Sequence, residues 1–435
     1  MMETVTLASV ALLLCLLVLL GSGVWIALSL LSAAVVIFAW FTPIAPGSIL
    51  SSTMWDASWN WALTALPLFI WMGEILMRSG LSTNLFRGLS PWVGWLPGGL
   101  LHVNIVGCGV MAAVSGSSAV TCATVGRMTI PELRRGGYDR SMMVGSLAGA
   151  GTFGLLIPPS IIMIVYGVVA QQSVARLFVA GIVPGMLLIL LFSGYIALWS
   201  WLNPDRQGDP VPRATFGEKI RASKDLLPVV GLIVAIIGSI YQGFATPTEA
   251  ASIGIVGAIL LAALNGTLSR AMFMDSLLSA TRISCMISFI IATAACLSIA
   301  VGFADIPRVA AAWVEEMELS PVALIAVLTV FFLILGCFLE GISILVLSSS
   351  VVLPMVEAAG IDLIWFGIFA VIVIECAQIT PPVGFNLIVL KSMTGRGIGE
   401  IARDTLPFLG LLLLSIVVFI AFPGLVTFLP DLMYR

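Results

Sequence analysis

Apolar runs of membrane-crossing length succeed one another along almost the whole chain, separated by short polar or glycine-rich joints. The pattern predicts spans at about 5–20 and 24–41, joined by Gly21-Ser22-Gly23, then a connector at 43–56 and a span at 61–77. Residues 82–95 alternate polar and aromatic positions and should lie along the membrane interface. The stretch 97–131 is too long for one span and is interrupted by SGSSA, Ser115–Ala119, whose small and hydroxyl residues allow a reversal inside the membrane. It reads as a re-entrant hairpin. A span broken in its middle (140–170) and an unbroken one (177–201) complete the first half. After the polar stretch 203–224 the order returns. Spans at 226–241, 248–264 and 283–302 precede an amphipathic piece at 306–317, a hairpin at 321–354 with tip LEGIS (Leu339–Ser343), a broken span at 362–394 and a last span at 405–428.

The breaks are GTFGLLIPPS, Gly151–Ser160, and QITPPVGFN, Gln378–Asn386. Two adjacent prolines remove two backbone donors and push the preceding residue out of the helical region, so each segment should be two half-helices joined by extended backbone. Unpaired backbone groups cannot face lipid; at membrane depth they persist only when buried in protein or lining a polar cavity. A shift of 223 residues maps Pro158 and Pro159 onto Pro381 and Pro382, Pro131 onto Pro354, Gly137 onto Gly360 and Asp139 onto Asp362. The chain therefore reads as a duplication, 1–202 and 225–435, joined by a linker at 203–224. With non-crossing hairpins each half crosses five times, and an odd number inverts the second half relative to the first. The expected fold is an all-α polytopic membrane protein with an inverted structural repeat, two re-entrant helical hairpins and two broken transmembrane helices.

Composition supports the lipid bilayer as partner: 60% hydrophobic and 9% charged residues leave more apolar surface than a soluble core could bury. A net charge of −3 without a dense basic block excludes nucleic acid as a partner. On the expected topology sixteen Lys and Arg fall on one side and only Arg176, Arg308 and Arg435 on the other, which makes the first side cytoplasmic and places both termini outside. The N-terminal run has no basic region before it and reads as a retained span rather than a signal peptide. The seven cysteines read as small core residues, and Trp55, Trp59, Trp61 and Trp71 as an interfacial belt. No phosphate-binding loop of the GxxxxGKS type occurs, so no cofactor is called for and energy must come from an ion gradient or a partner.

Hairpin tips and breaks can meet near the midplane. There carbonyl and hydroxyl oxygens suit a small hard cation, and half-helix N-termini attract carboxylate. One sodium site per repeat is expected: Ser115, Gly116, Ser117 and Ser118 with Gly151, Thr152 and Pro158 in the first, and Glu340, Gly341 and Ser343 with Thr380, Pro381 and Gly384 in the second. An organic anion would lie between them, bound near Ser117, Ser118, Pro159, Ser160, Pro382 and Asn386. The bland alternative is that these hydroxyls satisfy neighbouring helix carbonyls. Glu375 is an intramembrane acid, either a cation or proton carrier or a residue orienting the broken backbone. In ATPTEA, Ala245–Ala250, Glu249 reads as part of a helix cap. An intramembrane hydrolase with a nucleophilic serine in SGSS would need a base. The only histidine, His102, stands thirteen residues before Ser115 on the same helical arm, about 20 Å away, and reads as a packing residue.

SGSSAVTCATVGRMTIPELRRGGYD, GTFGLLIPPSIIMIVYG, FATPTEAA and QITPPVGFN, in this order and covering nearly the whole chain, resemble the signatures of the large membrane subunit of tripartite ATP-independent periplasmic (TRAP) transporters. The resemblance implies a sodium-driven elevator in the bacterial inner membrane, in which hairpins and broken helices move. It further implies a small four-span membrane partner and a periplasmic solute-binding protein that delivers a small organic acid. It places Ser115, Gly116, Ser118, Pro158, Pro159, Gly341, Pro381, Pro382 and Asn386 at the ion and substrate sites. The chain departs from the family pattern at Glu340, where Asp is frequent, and at Ser348–Ser350, where threonine and proline are common. A self-contained sodium and dicarboxylate symporter of similar architecture is the rival reading.

Overall fold

The computed structural model describes residues 2–209, 214–224, 226–317, 320–382 and 384–433. Arg213 and Arg435 of the charge count, and Val383 of the second motif, lie outside the described residues. The first half comprises α1 (Met2–Gly21), α2 (Ile26–Phe41), α3 (Pro46–Ser58), α4 (Ala65–Arg78), α5 (Leu81–Val93), α6 (Leu101–Ser115), α7 (Ser118–Arg135), α8 (Arg140–Gly151), α9 (Phe153–Leu156), α10 (Ile161–Val169) and α11 (Val174–Leu202). The linker carries α12 (Phe216–Ser223), and the second half comprises α13 (Leu227–Tyr241), α14 (Pro247–Leu264), α15 (Arg270–Phe303), α16 (Ile306–Glu316), α17 (Pro321–Gly336), α18 (Gly341–Ala358), α19 (Leu363–Gln378), α20 (Phe385–Thr394), α21 (Ile398–Ala421) and α22 (Gly424–Leu432). No strand occurs among the described residues. Seven helices are long and apolar enough to cross a membrane, and Arg140–Leu156 with Ile161–Val169 passes the same test as one span bent by 42°. This is an all-helical, multi-pass membrane protein.

Local chemistry sets the helix starts at matching places in the two halves. Asp139 accepts the amide of Met142 at 2.9 Å to open α8, and Asp362 accepts that of Trp365 at 2.8 Å to open α19. Thr246 and Glu249 form a complete capping box on α14 with Pro247 in the first turn. Packing follows the same correspondence. α2 lies on α15 as α14 lies on α4, and α4 meets α15 directly, forming one body. In the other body α10 packs on α18 and α20 on α7, so each broken helix is held by the hairpin of the other half. Helices in lipid gain nothing from hiding apolar surface from each other, so close backbone approach has to hold them. Gly336 on α17 illustrates it: a Cβ there would collide with Ala377 of α19.

The structure departs from the sequence expectations in four places. The connector expected at 43–56 is helical from Pro46, and its counterpart in the second half is continuous with the following span, giving the 34-residue α15, about 51 Å long. Asn60 marks the difference: its side chain accepts the amide of Ala62 at 2.9 Å where the first copy breaks, whereas the position 223 residues later is Ile283, which has no side-chain acceptor. The last span runs from Ile398 to Ala421 and then breaks at Pro423 before α22; the charged residues Glu400, Arg403 and Asp404 made its first turns read as loop. Trp71 does not belong to the interfacial set, because its indole donates to Ser276 at 3.2 Å and packs edge-on against Phe273. Cys285 is exposed rather than a core residue.

Candidate functional site

The first tip is built by one reversal. α6 ends at Ser115, Gly116 takes the left-handed conformation (φ +59°), Ser117 is extended, and α7 begins at Ser118. Ser115 Oγ shares a 2.6 Å hydrogen bond with Thr121 Oγ1 and donates to the Ser117 carbonyl at 3.2 Å. Against this tip lies the first break. Gly154 touches it so closely that an added Cβ would stand 2.5 Å from the Ser117 carbonyl oxygen and 2.8 Å from the Ser118 nitrogen. Pro158 and Pro159 cannot donate to the carbonyls of Gly154 and Leu155 four residues earlier; the Ser160 hydroxyl takes the Leu155 carbonyl. Thr152, fully buried, donates to the Gly149 carbonyl at 2.6 Å.

The second tip is more open. Glu340 opens α18, accepting the Ser343 hydroxyl at 3.3 Å, and Gly341 lies 3.6 Å (from its would-be Cβ) from Gln378 Nε2 at the end of α19. Thr380 satisfies the Cys376 carbonyl at 2.6 Å, Gly384 turns the chain into α20 with φ +42°, and Pro381 and Pro382 are exposed where Pro158 and Pro159 are buried. Both proline pairs contain a cis peptide bond. A clamp joins the two halves. Ser118 donates to Asn386 Oδ1 at 3.0 Å, and Asn386 Nδ2 donates to the Ala148 carbonyl at 3.1 Å, all buried.

Both tips open onto one cavity of about 200 Å³ between α4 and α15. Of the residues expected at a site, Ser115–Ser118, Glu340 and Gly341 line it; the proline pairs, Gly151, Thr152, Ser160, Ser343, Thr380, Gly384 and Asn386 do not. Glu74, Gln378, Ile283 and Met286 also line it and were missed. Gln378 was legible as a polar residue just before the second break, whereas nothing local marks the α15 wall. Past Glu74, Met77 and Val120 lies a second, open cavity of about 930 Å³. Glu375 is completely buried, its carboxyl set against the Leu156 backbone of the first break. His102 is tied through Nε2 to the Pro97 carbonyl at 2.8 Å, at the far end of α6 from the serines. The described residues contain no group of three His, Cys, Asp or Glu able to hold a metal, so any cation here would rest on carbonyl, hydroxyl and single carboxylate oxygens.

Two non-helical elbows, two glycine-bearing tips and one shared cavity define a membrane transporter. Residues 13–425 match the family described as tripartite ATP-independent periplasmic transporter, DctM component, and the chain belongs to that family. It is 34% identical over 393 residues, covering 89% of this chain and 91% of the relative, to the C4-dicarboxylate TRAP transporter large permease protein DctM of Pseudomonas aeruginosa. It is 31% identical over 411 residues to the isethionate TRAP transporter permease protein DctMQ of Oleidesulfovibrio alaskensis, covering 94% of this chain and 64% of that one. The crystal structure of the Alcanivorax borkumensis YdaH transporter shares the fold, with a TM-score of 0.66 at 14% identity over 96% of this chain and 99% of that one.

Proposed function

We propose that this permease couples an inward sodium gradient to uptake of a small organic acid by alternating access across the bacterial inner membrane, with both termini periplasmic. The observation that carries the reading is the single cavity onto which both tips open, although they are about 225 residues apart in sequence. The Ser115, Ser117 and Ser118 hydroxyls and the Glu340 carboxylate offer hard oxygen ligands beside it, and the half-helix starts at Ser118 and Gly341 offer amides to a carboxylate. The Pseudomonas relative's name supports a carboxylate cargo. A periplasmic solute-binding protein would hand that cargo over. The joined DctMQ name supports a small second membrane subunit as partner. The sixteen-to-three asymmetry of basic residues supports the orientation.

The test is uptake of labelled succinate into proteoliposomes holding this chain, its small subunit and a loaded binding protein. A sodium gradient should drive accumulation. Equal accumulation with potassium in place of sodium would remove the coupling, and uptake without any binding protein would favour the self-contained symporter.

A further inference from the structure

The open cavity of about 930 Å³ is walled by α4, α5 and α7 and carries three arginines, Arg78, Arg87 and Arg127, against two acids, Glu74 and Glu132. Both acids are already engaged. Glu74 accepts from Arg78 at 2.9 Å, and Glu132 accepts at 2.9 Å from Arg135, which is not part of the wall. Arg87 on α5 and Arg127 on α7 are exposed and have no ion pair or hydrogen bond among the described residues. Two unpaired guanidiniums from different helices therefore face one concave space, with the Thr124 hydroxyl beside Arg127 on the same wall. An unpaired guanidinium presents a planar fork that matches a carboxylate in geometry and charge.

We propose that this vestibule is a second, weak carboxylate site in which Arg87 and Arg127 receive the anion as it leaves the central cavity. It rests on the transport reading for its cargo. The geometry supplies the adjacency: Glu74, Met77 and Val120 line both cavities, so the two spaces meet at these side chains. At the boundary stands Glu74, held by Arg78, which repels an anion less than a free carboxylate would. The space is several times larger than the central cavity, enough for an acid still carrying its water, so binding there is weak and salt-sensitive.

Arginine footprinting of the full-length chain in neutral detergent tests this without requiring transport. Phenylglyoxal modification is read peptide by peptide by mass spectrometry, with Arg134 and Arg206 as references. Succinate should protect Arg87 and Arg127 severalfold, uncharged succinamide should not, and protection should fade at about 0.5 M salt, where charges are screened within a few ångströms. Protection of the references to the same degree, or none at Arg87 and Arg127, overturns the proposal. So does protection that follows added anionic phospholipid and not succinate, which would make the site a lipid headgroup clamp. In proteoliposomes Arg87→Gln with Arg127→Gln should raise the half-saturating succinate concentration from the cytoplasmic face about fivefold and leave the external value within twofold. Equal shifts on both faces overturn it. If the parent protein moves no succinate at all, the transport reading fails, while the footprint still decides whether the vestibule binds carboxylate.

Discussion

Replacing Gly154 by alanine places one methyl group where the first tip meets the first break. The new carbon would stand 2.5 Å from the Ser117 carbonyl carbon and oxygen, and ordinary contact begins near 3.4 Å, so tip and break must separate by about 1 Å. Both sides of the collision are backbone, which cannot swing aside as a flexible side chain would. Overpacking of this kind costs about 1–3 kcal/mol, which is a factor of roughly 5–150 in an equilibrium. If a cation is held between the Gly154 and Ser117 carbonyls, that whole cost falls on its binding. Half-activating sodium for succinate uptake should therefore rise by roughly that factor, while the protein still inserts and the maximal rate at saturating sodium is largely kept. The control is Gly194→Ala, in helix α11 with nothing within 4 Å of the added carbon. An unchanged sodium dependence in Gly154→Ala, with the variant folded, would refute the placement of the cation at this contact.

Gly341→Ala should be milder than Gly154→Ala, because its added carbon meets one side-chain methyl, that of Ile374 at 2.7 Å, rather than backbone; a larger sodium shift at Gly341 would reverse the ranking of the two tips. Ser118→Ala and Asn386→Ala each strand a buried partner and should each cost about 1–3 kcal/mol. Their double variant should cost less than the sum, read by thermal unfolding in detergent, and strict additivity would deny the clamp. In the linker, hydrogen bonds from the Thr215 amide and hydroxyl hold the Glu218 carboxyl below its usual pKa. A lowered folded-state pKa means that the cap's contribution is present above the ordinary glutamate range and is lost as pH falls through the lowered value. Hydrogen-exchange protection over residues 216–223, corrected for the intrinsic pH dependence of amide exchange, should fall on acidification in the parent and show no such step in Glu218→Gln; a parent without that step would contradict the cap.

The breaks and tips were legible because their chemistry is local. A proline pair removes donors whatever surrounds it, and glycine between small hydroxyl residues marks a reversal, so Pro158, Pro381, Gly116 and Gly341 pointed to the elbows directly. The cavity's far wall was not legible. Ile283 and Met286 on α15 are apolar residues in an apolar run, and only the packing of α15 against α4 turns them toward the tips. The continuity of α15 was hidden for a related reason. A polar stretch at 265–282 reads as connector until the helix is seen to extend beyond the hydrocarbon. Asn386 was legible as a polar residue in the right motif. Its partners, Ser118 and the Ala148 carbonyl, lie 268 and 238 residues away in sequence, so its part in joining the halves could not be read from spacing.

The two copies of one motif have been finished differently, and the difference follows from what each must shield. At the first break the prolines are buried, the Ser160 hydroxyl closes the Leu155 carbonyl, and Gly154 seals the elbow against the tip. At the second, Pro381 and Pro382 are exposed, and the cavity reaches Gln378 and Phe385 on either side of them. Irregular backbone at membrane depth is tolerated only inside protein or beside water, so the second elbow has to border the aqueous space while the first can remain dry. Glu375 lies on the dry side. It occupies the position that Thr152 holds in the first copy, 223 residues earlier, yet its carboxyl is fully buried against the Leu156 backbone of the opposite copy.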